Sequence, residues 1–203
     1  MSNIENQIYV KENVISPEAC DYLIKGFHKH EWFLTPGHVN GDISLEEKEK
    51  IKKSTDLSLN WEHCLTKELI NIREAIHGGF DEYVKTMDHV VDYAPPVILH
   101  PWWNIQWYKP NEGYFRWHHE LVAGSQDSLD RNRVVAWMFN LNTVENGGGT
   151  EFKYFDNKII PKAGQLSIFP AYYTHTHRGI VATNEDKYIA TGWFSYYMGN
   201  DWR

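Results

Sequence analysis

At Pro95-Pro96 the sequence changes character. Beyond that point short runs rich in β-branched and aromatic residues alternate with Gly- and Pro-containing turns, the pattern of half-buried strands. Strands are predicted at Val97–His100, Asn104–Tyr108, Phe115–Leu121, Arg133–Asn142, Thr150–Tyr154, Gln165–Phe169, Thr176–Val181 and Tyr188–Tyr197. The punctuation is clear at Lys109-Pro110-Asn111-Glu112-Gly113, Asn146-Gly147-Gly148-Gly149 and Pro161-Lys162-Ala163-Gly164. Eight short strands cut by turns suggest two sheets folded on each other as a jelly roll.

The chain before Pro95 reads as helical. Ser16-Pro17 supplies a capping hydroxyl and a proline at the first helical position, and Cys20, Leu23, Ile24 and Phe27 follow on one face. From Trp61 to Met87 the apolar positions Leu65, Leu69, Ile72, Ile76, Phe80, Tyr83 and Met87 recur every three or four residues, which predicts a long helix that Gly78-Gly79 bends or interrupts. Between them, Gly37–Ser58 is polar, and its charge run Glu46–Lys50 reads as a solvated loop or short helix. No linker separates the halves, so residues 1–203 are expected to form one domain: a helical part, 1–94, packed on one sheet of a jelly-roll catalytic core, 95–203. The class is mainly β with N-terminal helices.

Composition narrows the function. With 20 Lys and Arg against 27 Asp and Glu the net charge is −7, which argues against nucleic acid as a partner. No apolar run approaches a membrane span, and the first residues lack the basic and apolar segments of a signal peptide. Two cysteines, Cys20 and Cys64, are too few for a disulfide framework, so a reducing, cytoplasmic setting is expected.

Among the 11 histidines, those of Trp117-His118-His119-Glu120 stand out. On a strand, side chains two apart share a face, so His118 and Glu120 point one way and His119 the other. One imidazole and one carboxylate on one face can begin a metal site, and the third ligand comes from Thr174-His175-Thr176-His177. His175 and His177 share a face too, so periodicity does not choose between them. Two His and one carboxylate leave open positions on a metal, the facial arrangement of non-haem Fe(II) oxygenases. Lys187, ten residues after His177, opens an apolar strand and needs an anionic partner if it turns inward.

This ordered set resembles the 2-oxoglutarate- and Fe(II)-dependent dioxygenases, and within them the prolyl 4-hydroxylase-like group. That group carries His-x-Asp or His-x-Glu, a distal His, and a Lys or Arg about ten residues later. Flanking segments agree: Tyr108, Arg133–Asn142, Gly147-Gly148-Gly149-Thr150-Glu151-Phe152, and Pro161 to Pro170, so the likeness covers roughly Asn104–Tyr196. The resemblance implies His118, Glu120 and His177 as metal ligands and catalytic centre, with the offset to Lys187 favouring His177 over His175. It implies Lys187 and Tyr108 on the co-substrate carboxylate; Asn140, on the Arg133–Asn142 strand, and Thr191, four residues after Lys187, either line the same pocket or are plain strand residues. The cofactors implied are Fe(II), 2-oxoglutarate and O₂, with ascorbate as a further reductant. The substrate implied is a peptidyl proline or a small molecule, oxidised with release of succinate and CO₂. Glu120 departs from the usual Asp, and Val181 stands where a Pro is common. A carboxylate at 120 favours hydroxylation over halogenation, since halogenating relatives lack it. The competing reading is a cupin-like metal- or ligand-binding jelly roll, which would not need Lys187. A pure interaction module would need no metal. Val122–Asn132 and Gly37–Ser58 are candidate lids, Arg178 is either a substrate contact or a surface ion pair, and Trp102, Trp103, Trp107 and Trp117 are expected in the core.

Overall fold

A computed structural model of the chain describes residues 2–39, 44–87, 95–122 and 124–199. The N-terminal part contains β1 (Ser2–Glu5), β2 (Ile8–Lys11), α1 (Pro17–Lys29), β3 (Thr35–Pro36), α2 (Leu45–Ile51), β4 (Lys52–Lys53), β5 (Thr55–Asn60) and α3 (Lys67–Thr86). The remainder contains β6 (Val97–Tyr108), β7 (Gly113–Tyr114), α4 (Ser128–Arg131), β8 (Arg133–Asn140), β9 (Thr150–Phe152), β10 (Lys158–Ile159), β11 (Gln165–Pro170), β12 (His177–Gly179) and β13 (Lys187–Tyr196). One antiparallel sheet runs β1-β2-β11-β8-β13-β6-β5-β3, a smaller one β10-β9-β12, and β4 pairs with β7.

Alternation on β8 explains the layering. Val135, Trp137 and Phe139 face a core shared with Leu23 and Phe27 of α1 and Ile72, Ile76 and Phe80 of α3. Ala136 and Met138 face a second core with Phe152 of β9 and Ile159 of β10. The large sheet therefore has helices on one face and the small sheet on the other, and β8 is buried along its whole length. This is the double-stranded β-helix expected, with the helices on one sheet.

Helix α1 begins where its capping pattern predicts, with the Ala19 N–H donating to Ser16 Oγ at 3.3 Å. Helix α3 starts later than predicted: Trp61–His63 is a 3₁₀ turn, and Thr66 caps Lys67–Thr86. Gly78-Gly79 does not break α3. A Cβ on Gly79 would lie 2.3 Å from Leu166 Cδ2, so this glycine lets the helix press onto β11.

The first part of the chain is not purely helical, because β1, β2, β3, β4 and β5 lie within its first sixty residues. Strands β1 and β2 join through Asn6 and Gln7, both at positive φ, and β2 pairs with β11. The predicted strands Val97–His100 and Asn104–Tyr108 are one strand, β6, running through Pro101. The register with β13 shifts between Gly192 and Phe194, so Pro101 sits in the irregularity where a proline's missing N–H breaks no ladder bond. The predicted strand Phe115–Leu121 is an extended segment rather than a full strand, held by one bridge, His118 with His177.

Candidate metal centre

That bridge builds the site. His118 and His177 exchange two backbone hydrogen bonds of 2.9 Å, and the Glu120 N–H donates to Ala171 O at 3.0 Å. The chain thus stays extended from 118 to 120, and both side chains point to the same side as His177. The metal-ligating atoms of His118, Glu120 and His177 all lie within 4.8 Å of one another. Glu120 Oε1 is 3.3 Å from His177 Nε2 and 3.6 Å from His118 Nε2.

Both rings are oriented from behind. Nδ1 of His118 lies 2.9 Å from Arg116 O, and Nδ1 of His177 lies 2.9 Å from His175 O. A carbonyl only accepts, so each Nδ1 carries the proton and each Nε2 turns its lone pair inward. The Tyr114 ring stacks on His118 at 3.5 Å, and Phe169 meets His177 edge-on at 4.8 Å. Burial pushes the His118 pKa below its ordinary value, favouring the neutral ring a metal needs. Burial alone would raise the Glu120 carboxyl, but its contacts with His118 and His177 outweigh that and hold it well below the usual range. Two imidazoles presenting Nε2 and one carboxylate form a donor set that suits a divalent ion such as iron.

The triad opens into a cavity of about 1050 Å³ between the sheets. At its inner end Lys187 and Tyr108 are direct cross-strand partners on β13 and β6. Lys187 is only 7% exposed, has no carboxylate partner among the described residues, and has its Nζ 5.7 Å from the centre of the Tyr108 ring. Burial lowers its pKa from 10.5 to about 8. An unpaired, desolvated ammonium at the end of a pocket is a receptor for an anion.

Residues 103–195 match the 2OG-Fe(II) oxygenase superfamily model. This segment belongs to that superfamily. The oxygenase domain has solved structural neighbours over nearly all of the chain. A Trichoplax adhaerens prolyl hydroxylase in complex with a hypoxia inducible factor peptide fragment has a TM-score of 0.69 at 15% identity, covering 94% of this chain and 84% of that one. A Pseudomonas putida prolyl-4-hydroxylase has a TM-score of 0.67 at 14% identity, covering 94% and 93%. The viral collagen prolyl hydroxylase of Paramecium bursaria Chlorella virus-1, as its 2OG complex, has a TM-score of 0.63 at 18% identity, covering 95% and 97%. These likenesses show the fold. No curated protein matches the chain in sequence.

In the oxygenase domain the other predicted residues fall into clear places. His175 stands apart from the triad: it is 3% exposed, with Nε2 at 2.9 Å from Asn6 O and Nδ1 at 3.1 Å from Thr174 Oγ1. His119 is exposed at the cavity rim. The Tyr108 hydroxyl donates to Gln106 Oε1 at 2.7 Å. Thr191 lines the cavity, with its hydroxyl donating to Trp137 O at 2.8 Å. Asn140 is not among the lining residues: it is 1% exposed and its amide donates to Gln165 Oε1 at 2.9 Å. Arg178 pairs with Glu151 at 2.6 Å and lies 4.4 Å over the Trp117 ring. Of the four tryptophans expected in the core, Trp103 is fully buried but Trp102 is 49% exposed.

Tyr114, Lys52, Asp56 and Trp193 are among the lining residues that were not singled out from the sequence. Trp193 had a usable signal, because it continues the alternation Lys187, Ile189, Thr191. Lys52 and Asp56, both within the polar stretch Gly37–Ser58, form a buried pair, Nζ to Oδ2 at 2.6 Å.

Among the described residues no helix is long and apolar enough to cross a membrane. Residues 40–43 and 123, within the two candidate lids, lie outside the described residues.

Proposed function

We propose that this protein is a hydroxylase using Fe(II), 2-oxoglutarate and O₂ on a peptidyl proline or a small polar molecule. His118, Glu120 and His177 would hold the iron. The observation that carries this reading is the pairing of the triad with an unpartnered buried lysine in one cavity. A metal-binding jelly roll without a dicarboxylate has no need of the lysine. When bound, the iron and co-substrate would supply the oxidation: one oxygen atom of O₂ enters the substrate C–H bond as hydroxyl, the other ends in succinate, and CO₂ leaves.

The chain's own residues supply position and exclusion. Lys187 holds the far carboxylate of 2-oxoglutarate, and Tyr108 forms the wall beside it. The backbone carbonyls behind His118 and His177 keep both Nε2 atoms inward. The sheet register puts Gln106 beside Ile189, and Asn104 beside Thr191, on the cavity floor. Asn104 Oδ1 accepts from Ser58 Oγ at 2.7 Å and Gln106 Oε1 accepts from Tyr108, so both amide NH₂ groups, without acceptors among the described residues, can donate to a substrate. A substrate with hydrogen-bond acceptors, such as peptide carbonyls, fits that floor. Replacing Asn104 and Gln106 together with Leu is expected to raise substrate KM at least tenfold while leaving the 2-oxoglutarate KM within about twofold, in steady-state assays. The free, buried Cys20 and Cys64 suit the reducing, cytoplasmic setting in the same reading.

The first test is an anaerobic titration of the metal-free protein with Fe(II), with and without 2-oxoglutarate. A visible charge-transfer band that requires both is the expected result. Iron binding with no such band would favour the cupin-like alternative, and no iron binding would overturn the metal centre.

A further inference from the structure

The two oxygens of Glu120 have different neighbours. Oε1 faces His118 and His177, whereas Oε2 accepts a 2.8 Å hydrogen bond from the indole Nε1–H of Trp193. Trp193 is itself clamped. The Arg133 guanidinium lies 3.5 Å over its ring and the His100 ring meets it edge-on at 5.7 Å. Arg133 is anchored in turn by Asp130 at 2.5 Å and donates to the Glu120 main-chain oxygen at 3.0 Å. The shift in register between Gly192 and Phe194 places Trp193 in an irregularity of β13, opposite residues 100–102 of β6.

Burial by itself does not explain the indole bond. Among the described residues Trp61, Trp107 and Trp137 bury their indole N–H groups with no hydrogen-bond partner, so burial alone does not bring an indole a partner in this fold. A glutamate ligand does need restraint. It has one more side-chain torsion than aspartate, so its carboxylate can turn to present both oxygens or swing away from the two histidines.

We propose that Trp193 is a positioning residue that holds Glu120 as a one-oxygen ligand, with Arg133 holding Trp193. This rests on the metal-centre reading above. A carboxylate tied at Oε2 offers Oε1 alone and leaves the remaining positions of a metal free for co-substrate. The guanidinium on the ring face draws electron density from the indole and strengthens its N–H as a donor.

The test uses the full-length, metal-free protein and Co(II) alone as the probe, read by its visible absorption. Trp193→Phe keeps an aromatic ring under Arg133 but removes the N–H donor together with part of the indole's bulk. Co(II) affinity is expected to fall about 10- to 100-fold, as for other groups that orient metal ligands. The band should change in position and intensity as the freed carboxylate takes a second position, and the thermal midpoint of the metal-free protein should stay within about 2 °C. In an E120D background, where the shorter arm does not reach the indole, W193F should change affinity by less than about threefold. Unchanged affinity and spectrum in W193F would overturn the proposal. So would a loss as large in the E120D background as in the parent, which would mark Trp193 as a packing residue. If E120D binds no Co(II), the spectrum of W193F decides alone, an unaltered band refuting the tether. Failure of the parent protein itself to bind Co(II) is a separate result, and it would remove the metal centre.

Discussion

His177→Ala is expected to abolish metal uptake and reduce substrate oxidation to background, while His175→Ala keeps the metal and loses stability instead. The two residues are alike in sequence and opposite in surroundings. His177 turns its Nε2 to Glu120 Oε1 at 3.3 Å, with Nδ1 committed to a backbone carbonyl. Removing it leaves one imidazole and one carboxylate, too few protein ligands for a tight site. His175 has both nitrogens engaged by Asn6 O and Thr174 Oγ1 and packs between Phe152 and Phe155. Its loss removes the tie between the β1–β2 turn and the distal-histidine segment and opens a cavity, costing about 2–4 kcal/mol. Co(II) titration and thermal melting of the two variants separate the effects. A metal-free His175→Ala beside a metal-binding His177→Ala would reverse the assignment.

The reason His175 and His177 look equivalent in sequence is that alternation assumes a strand. The chain is a 3₁₀ turn through Tyr173–His175 and becomes a strand only at His177, so the two histidines sit on different backbone geometries. The opposite error was harmless at Phe115–Leu121. That segment is not a continuous strand, yet the bridge at His118 and the bond at Glu120 keep it extended, and the same-side reading of 118 and 120 survives. Strongly patterned elements were legible. Arg133–Asn142 reads as a strand and the structure has β8 at Arg133–Asn140, and Ser16-Pro17 marks the start of α1. The N-terminal hairpin was not legible because its turn residues, Asn6 and Gln7, adopt positive φ without the glycine that signals such turns. Pro101 read as a break because a proline usually ends a strand, and only the register shift opposite Trp193 makes room for it. The buried pair Lys52–Asp56 was not legible in the polar stretch Gly37–Ser58, because the two side chains meet only after β4 and β5 have folded into the cavity wall.

Lys187→Met is expected to stabilise the co-substrate-free protein while destroying its affinity for 2-oxoglutarate. The ordinary lysine pKa of 10.5 describes the unfolded chain, and burial lowers it to about 8 in the fold. Below pH 8 both states carry the proton, and the folded state bears the full penalty of a buried, unpaired charge. A shift of this size corresponds to roughly 3 kcal/mol. Between about pH 8 and 10.5 the unfolded chain still holds a proton that the folded protein has released, so this group's contribution to stability rises with pH across that window and is level above it. Methionine fills similar space without the charge, so the variant should melt higher than the parent at pH 7, by about 1–3 kcal/mol, and the difference should shrink as pH rises from about 8 to 10.5. In the proposed reading, bound 2-oxoglutarate would supply the missing anion and restore the proton. The parent's affinity for it should therefore decline as pH rises through about 8, with proton uptake on binding. The variant should bind at least 100-fold more weakly and show no such decline, because no titrating cation remains. Calorimetric titration at pH 7 and pH 9.5 with paired thermal melts measures both effects. A Lys187→Met protein that melts lower at pH 7, or that keeps the parent's affinity for 2-oxoglutarate, would show that the lysine is compensated within the fold and is not the anion receptor of this cavity.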